Sequence, residues 1–206
     1  MSLNDVIDRF AGIEPGSIID LIRNDRLVAR ENAQKSYLAL FDPDDESQIN
    51  VTERLAVAVF VATLHGEDAI AQHYHNLLKA ERPKDLDSAL LQEAQSARRS
   101  GPYGHYPDGP LSVENLDGPT WRASDAGRQT LGPKISAALE HAHLLVLHPR
   151  DASREALQAL LDAGWSATAI VTLSQVVAFL AFQIRVAAGL RTFNSVIASR
   201  RREAAE

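Results

Sequence analysis

No cysteine occurs in the 206 residues of the chain. That absence excludes a disulfide framework, a thiolate zinc site and a peroxidatic thiol, and it suits a protein that never meets an oxidising compartment, so a cytoplasmic location is expected. A cationic surplus is missing as well. Against 27 acids stand 21 lysines and arginines, a formal charge of -6, and the only basic run, Arg200-Arg201-Arg202, is followed at once by Glu203. Such a balance does not neutralise a phosphate backbone, and no nucleic-acid partner is expected. There is no Gly-rich phosphate loop and no Gly-x-Ser-x-Gly elbow. The first ten residues mix Asp5, Asp8 and Arg9 with Val6 and Ile7, which reads as neither a signal peptide nor a transit peptide.

Strand signals are scarce too, whereas apolar residues recur at helical spacing in segment after segment, so the fold class expected is all-α. Val6, Ile7 and Phe10 mark a short first helix, and Ser17 with Asp20 opens a second in the manner of a capping box. A third runs from about Asp25 to Phe41, carrying Ala33, Tyr37, Leu40 and Phe41 on one side, until Asp42-Pro43-Asp44-Asp45-Glu46 breaks it. Asn50 with Glu53 starts an apolar helix from Val51 to Leu64, which has Leu55, Val57, Val59, Phe60 and Val61 on nearly every side and is therefore central. Gly66 punctuates; the next helix reaches about Ala80, Arg82-Pro83 stops it, and another amphipathic segment spans Leu86 to Arg99.

Glycine and proline are concentrated rather than spread. Residues 100–133 hold six of the eleven glycines and five of the nine prolines, which predicts a long loop. Tyr103, His105, Tyr106, Leu111 and Trp121 within it favour an ordered arm packed over its own domain or a neighbouring subunit, since disordered linkers are poor in aromatics. Helices come next from Lys134 to Leu147, from about Ser153 to Ala163, and from Ser166 onward. The stretch from Ala167 to Leu190 is apolar and long enough to raise the question of a membrane span. Ser174, Gln175, Gln183 and Arg185 interrupt it, so a helix through a protein core or at a subunit interface is expected, with no membrane partner. The organisation predicted is one all-helical domain: halves at 1–99 and 134–190, the loop between them, and a polar tail at 191–206.

The stretch from Glu53-Arg54-Leu55 through His65-Gly66-Glu67-Asp68-Ala69-Ile70-Ala71-Gln72-His73 resembles the helical core of the alkylhydroperoxidase and carboxymuconolactone decarboxylase superfamily: an aliphatic helix, a tight break, then a helix bearing a histidine. In the peroxidase branch a glutamate and Cys-x-x-Cys precede that histidine. With His73 at the histidine position, Gly66 and Ala69 stand at the cysteine positions and Arg54 at that of the glutamate, so the resemblance implies no thiol peroxidase. Glu67-Asp68-Ala69-Ile70-Ala71-Gln72-His73 is closer to the decarboxylase branch. The resemblance covers about residues 52–78 and 134–190. It implies an alkylhydroperoxidase-like bundle, a homo-oligomer, no cofactor, and a lyase or isomerase acting on a small carboxylated lactone or related acid.

In that reading His73 moves the proton, Glu53 orients it and Arg54 holds a substrate carboxylate. His73 shares a face with Ile70 and Leu77 and is expected to point inward, where it is either an acid/base or a core histidine satisfied by one hydrogen bond. Glu53 equally fits a plain capping box, and Arg54 a solvated surface. His65, His73, His75, His141, His143 and His148 invite a metal, but two-apart pairs on a helix face different ways, so no metal site is expected. The rival to the lyase is a non-catalytic member, ligand-binding or structural, or a partner of a cysteine-containing paralogue.

Overall fold

The computed structural model describes residues 5–81 and 86–203. Arg82 and Pro83, expected to stop a helix, lie outside the described residues, as do the side chains of Arg201 and Arg202. The regular structure among the described residues is helical, and their only β feature is an isolated antiparallel bridge between Gly104 and Leu116. The helices are α1 Val6–Ala11, α2 Ile18–Asn24, α3 Leu27–Phe41, α4 Val51–Leu64, α5 Asp68–Ala80, α6 Leu86–Ala97, α7 Asp125–Leu147, α8 Arg154–Asp162 and α9 Ala167–Glu203.

Two compact units emerge, and their boundary does not fall at the Gly/Pro-rich stretch. The larger is Asp44–Ala181; the smaller combines the described parts of Met1–Pro43 and Phe182–Glu206. In the smaller unit, Asp5 caps α1 by accepting from the Asp8 N–H at 2.9 Å, and Ser17 caps α2 as expected. Val6, Ile7 and Ala33 form a small core with Phe10, Tyr37, Val186 and Leu190 packed on it. An ion network tops it: Arg23 donates to Asp5 at 3.0 Å, Arg30 to Asp20 at 2.8 Å, and both arginines pair with Asp8.

The larger unit is built around α4. Asn50 Oδ1 accepts from the Glu53 N–H at 2.9 Å, and Glu53 Oε2 accepts from the Asn50 N–H at 3.1 Å, the reciprocal capping box read from the sequence. Beyond the cap, α4 is buried on all sides from Leu55 to Ala62, as an all-round apolar helix must be. Each Leu, Val or Phe removed from water there contributes roughly 1.5–3 kcal/mol. Helices α5, α6 and α7 pack around it.

Two elements run longer than the sequence suggests. The helix expected from Lys134 begins at Pro133, and a short helical stretch not read from the sequence precedes it from Asp125, where Ser124 Oγ accepts from the Gly127 N–H at 3.0 Å; Gly132 between them, with φ 77°, is not helical. The polar tail expected from residue 191 continues α9 as far as Glu203. By length and composition alone α9 could cross a membrane, yet half of its most apolar window is buried inside the protein.

The segment at 98–124 is an ordered arm lying on its own unit. Tyr103 N–H donates to the Leu147 carbonyl at 2.6 Å, His105 N–H to Asp151 at 3.1 Å, and the Arg150 guanidinium sits 4.5 Å from the Tyr106 ring centroid. Gly118 lies so close under Tyr103 that a Cβ there would be 2.1 Å from the ring. The loop composition is thus read correctly up to Ser124, where the helix cap takes over.

Candidate functional site

The structure does not bring His73, Glu53 and Arg54 together. On α5 the buried stripe is Ile70, Tyr74, His75 and Leu78. A helix turns 100° per residue, so His73 falls at the edge of that stripe, half-buried, its ring edge-on to Tyr74 with centroids 5.1 Å apart. The histidine that points inward is His75, which bonds Asp87 on α6 through Nε2 at 2.5 Å. Glu53 and His73 are also out of register. In the antiparallel α4–α5 hairpin, Glu53 lies eleven residues before Leu64 and His73 five after Asp68, an axial offset of about 9 Å. Beyond its capping role, the Glu53 carboxylate receives the Lys134 ammonium at 2.6 Å.

Arg54 is neither a surface residue nor open to a ligand. It is 5% exposed, and its Nε donates to the Ile49 carbonyl at 2.9 Å. Its guanidinium therefore fastens the segment leading into α4. The three residues singled out in the sequence serve a helix start and a helix edge, and His73 lines neither of two clefts in the larger unit.

The larger of those clefts, about 350 Å³, lies between α7, α8 and the arm. Its floor is the α7 stripe Ala137, Glu140, His141, Leu144, spaced three and four apart, with His148 one turn further on. Ala156, Ala159 and Leu160 of α8 face it, and Trp121 with Arg122 of the arm closes a third side. The walls are largely apolar, and three histidines are buried in them: His141, His143 and His148, at 6%, 2% and 3% exposure.

The neighbours of two of the three assign their proton positions. Ser174 Oγ donates to the Ile170 carbonyl at 2.9 Å, so towards His141 it acts as acceptor; His141 Nε2–H donates to it at 3.1 Å, and Nδ1 carries a lone pair. The Ala97 carbonyl favours a proton on the His143 ring. Its Nε2 is buried without a partner, as is His141 Nδ1. With Nε2 unpartnered, the proton that the Ala97 carbonyl favours is placed on Nδ1, and Nε2 is left as the bare nitrogen. An unsatisfied buried polar atom costs about 1–3 kcal/mol, and the larger unit carries two such nitrogens at the wall of one cleft.

His148 differs. Its Nδ1 lies 3.0 Å from Asp151 Oδ2 and its Nε2 3.1 Å from the Pro119 carbonyl, so both ring nitrogens are engaged within the protein. Burial pushes the Asp151 carboxyl up, but the His148 hydrogen bond, the His105 N–H and the charges of the two histidines outweigh it and hold the group below its ordinary value. Burial, then the charges of His148 and Arg99, push His143 down to about 4 against the opposing Ala97 bond; burial also lowers His141. The aromatic groups form a ladder from Phe60 through Trp121, His143 and His148 to Tyr103, with successive centroids 5.1, 5.8, 5.9 and 5.2 Å apart.

At the mouth, Arg122 donates to Glu140 at 2.6 Å, and Arg128 pairs with the same carboxylate. Among the described residues no group of three histidine, aspartate or glutamate side chains is placed to hold a metal ion. Sequence reasoning passed over this site because it tested the histidines only for metal spacing. The signal present was three histidines within eight residues, with Asp151 three beyond His148 across a helix end.

No family model matches the chain, and no curated protein or solved structure matches it either.

Proposed function

We propose that the chain is a small-molecule binding protein whose ligand occupies the cleft between α7, α8 and the arm. The observation that carries this reading is the cleft itself: about 350 Å³, largely apolar, with buried histidine nitrogens in its wall that have no partner within the protein. Ligand sites have this size and this mixture of apolar surface with a few convergent polar groups. No cofactor is part of the reading.

Binding is favoured over the acid/base lyase suggested by the resemblance to carboxymuconolactone decarboxylases. A general base works best when its pKa lies near the working pH, whereas His143, held at about 4, is a weak base and a good hydrogen-bond acceptor at neutral pH. His148 has both nitrogens engaged, and Glu53 and Arg54 have structural partners. Assembly of identical chains belongs to the same reading, supported by Leu21, Leu27 and Val28, which are 58%, 52% and 72% exposed in the smaller unit. A light-scattering mass equal to one chain would remove that part.

Titration with N-phenyl-1-naphthylamine, a neutral probe that fluoresces in apolar surroundings, tests the central part. Saturable binding at one site per chain is expected, abolished by Ala156→Trp, which fills the cleft. Unsaturable binding, or binding indifferent to Ala156→Trp, would sink the reading.

A further inference from the structure

The cleft offers a ligand acceptors rather than donors. The free nitrogens, His143 Nε2 and His141 Nδ1, both present lone pairs, while the Trp121 N–H is already given to Ser96 Oγ at 3.1 Å. The polar groups around them are already partnered: Arg122 with Glu140, and His148 with Asp151. A carboxylate would enter with no unpaired cation in this lining to meet it, and its desolvation would go uncompensated. A neutral ligand that donates a hydrogen bond matches both features.

Shape narrows the class further. Trp121 stands beside His143 in the aromatic ladder, half-buried, carried by the irregular arm. A flat aromatic ring extends such a ladder in offset or tilted geometry, each ring pair being worth about 0.5–1.5 kcal/mol beyond its buried area. His143 Nε2 is covered in the empty protein. A ligand donor that satisfied this nitrogen would recover the stabilisation lost by burying it without a partner.

We infer that the cleft takes a neutral, flat aromatic molecule bearing one hydroxyl or N–H donor, which bonds His143 Nε2 as Trp121 shifts aside. The inference rests on the binding reading and names its ligand class. It makes His143 the residue that sets specificity and Trp121 the gate.

The test compares 2-naphthol with 2-methoxynaphthalene, of nearly the same shape but with no donor, by calorimetry on the full chain. Wild type is expected to bind 2-naphthol at least about tenfold more tightly, a difference of about 1.4 kcal/mol. In His143→Asn the amide nitrogen takes the place of Nδ1 while the Nε2 acceptor is lost; the preference is expected to shrink to about threefold or less. Equal binding of both compounds by wild type overturns the inference and leaves the cleft reading standing. Binding of neither overturns both. A preference undiminished in folded His143→Asn also overturns it. Should that variant fail to fold, the wild-type imidazole nitrogen spectrum replaces it: 2-naphthol is expected to move the His143 Nε2 resonance and 2-methoxynaphthalene to leave it in place, and a resonance unmoved by 2-naphthol overturns the inference.

Discussion

His143 titrates in a direction that stability measurements can read. Its folded-state value of about 4 lies below the ordinary 6.5, so between those values the unfolded chain binds more protons than the folded one. Stability is therefore full above about pH 6.5 and falls as pH drops toward 4, by at most about 1.4 kcal/mol per pH unit for one histidine, with His141 acting in the same direction. Urea unfolding at about pH 7.5 and about pH 5 should show the loss in wild type and a shallower one in His143→Asn; equal losses would refute the assignment. Glu53 gives a second comparison. Glu53→Gln keeps a capping side chain and loses only the charge on a partly exposed ion pair, so it should cost less than about 1 kcal/mol, whereas Glu53→Ala also loses the box and should cost about 1–2 kcal/mol. Neither should change binding of the naphthylamine probe, and a change would restore Glu53 to the site. The capping half of this was legible, because Asn50 and Glu53 are three residues apart. Lys134, 81 positions away, was not, and no local rule points to it.

At the scale of elements, the sequence is most transparent where one helix answers to its own residues. The apolar run of α4, its cap, and the Ser17 and Ser153 caps of α2 and α8 are written locally. The start of α7 is not. Gly127, Gly132 and Pro133 read as loop, yet Ser124 is fixed by the buried Glu93 carboxylate of α6, which accepts its N–H at 3.3 Å and pairs with its hydroxyl, and the helix begins there. Gly127 then has a packing role: a Cβ would lie 2.2 Å from Glu93 Oε1 and 2.9 Å from its Cγ. Gly127→Ala should therefore destabilise by about 1–3 kcal/mol, although alanine is the better helix former by about 1 kcal/mol. A rise in the urea midpoint would contradict that packing. The same long-range dependence hid the cleft, since the arm that closes it is placed by Leu147 and Asp151, far from Tyr103 and His105 in sequence.

For the whole molecule, composition was a sound guide to class and a poor one to the site. An all-helical chain without cysteine is legible from periodicity and counting, but the division into Asp44–Ala181 and its companion unit, which cuts the expected long helix near its middle, was not. The site depends on side chains from α7, α8, α9 and the arm converging on three buried histidines, a juxtaposition that folding creates. The most direct test is amide and imidazole chemical-shift mapping of the full chain as the naphthylamine probe is added. The account predicts perturbations concentrated at Trp121, Glu140 to His148 and Ala156 to Leu160. Perturbations centred on α5 around His73, or none at saturating probe, would contradict it.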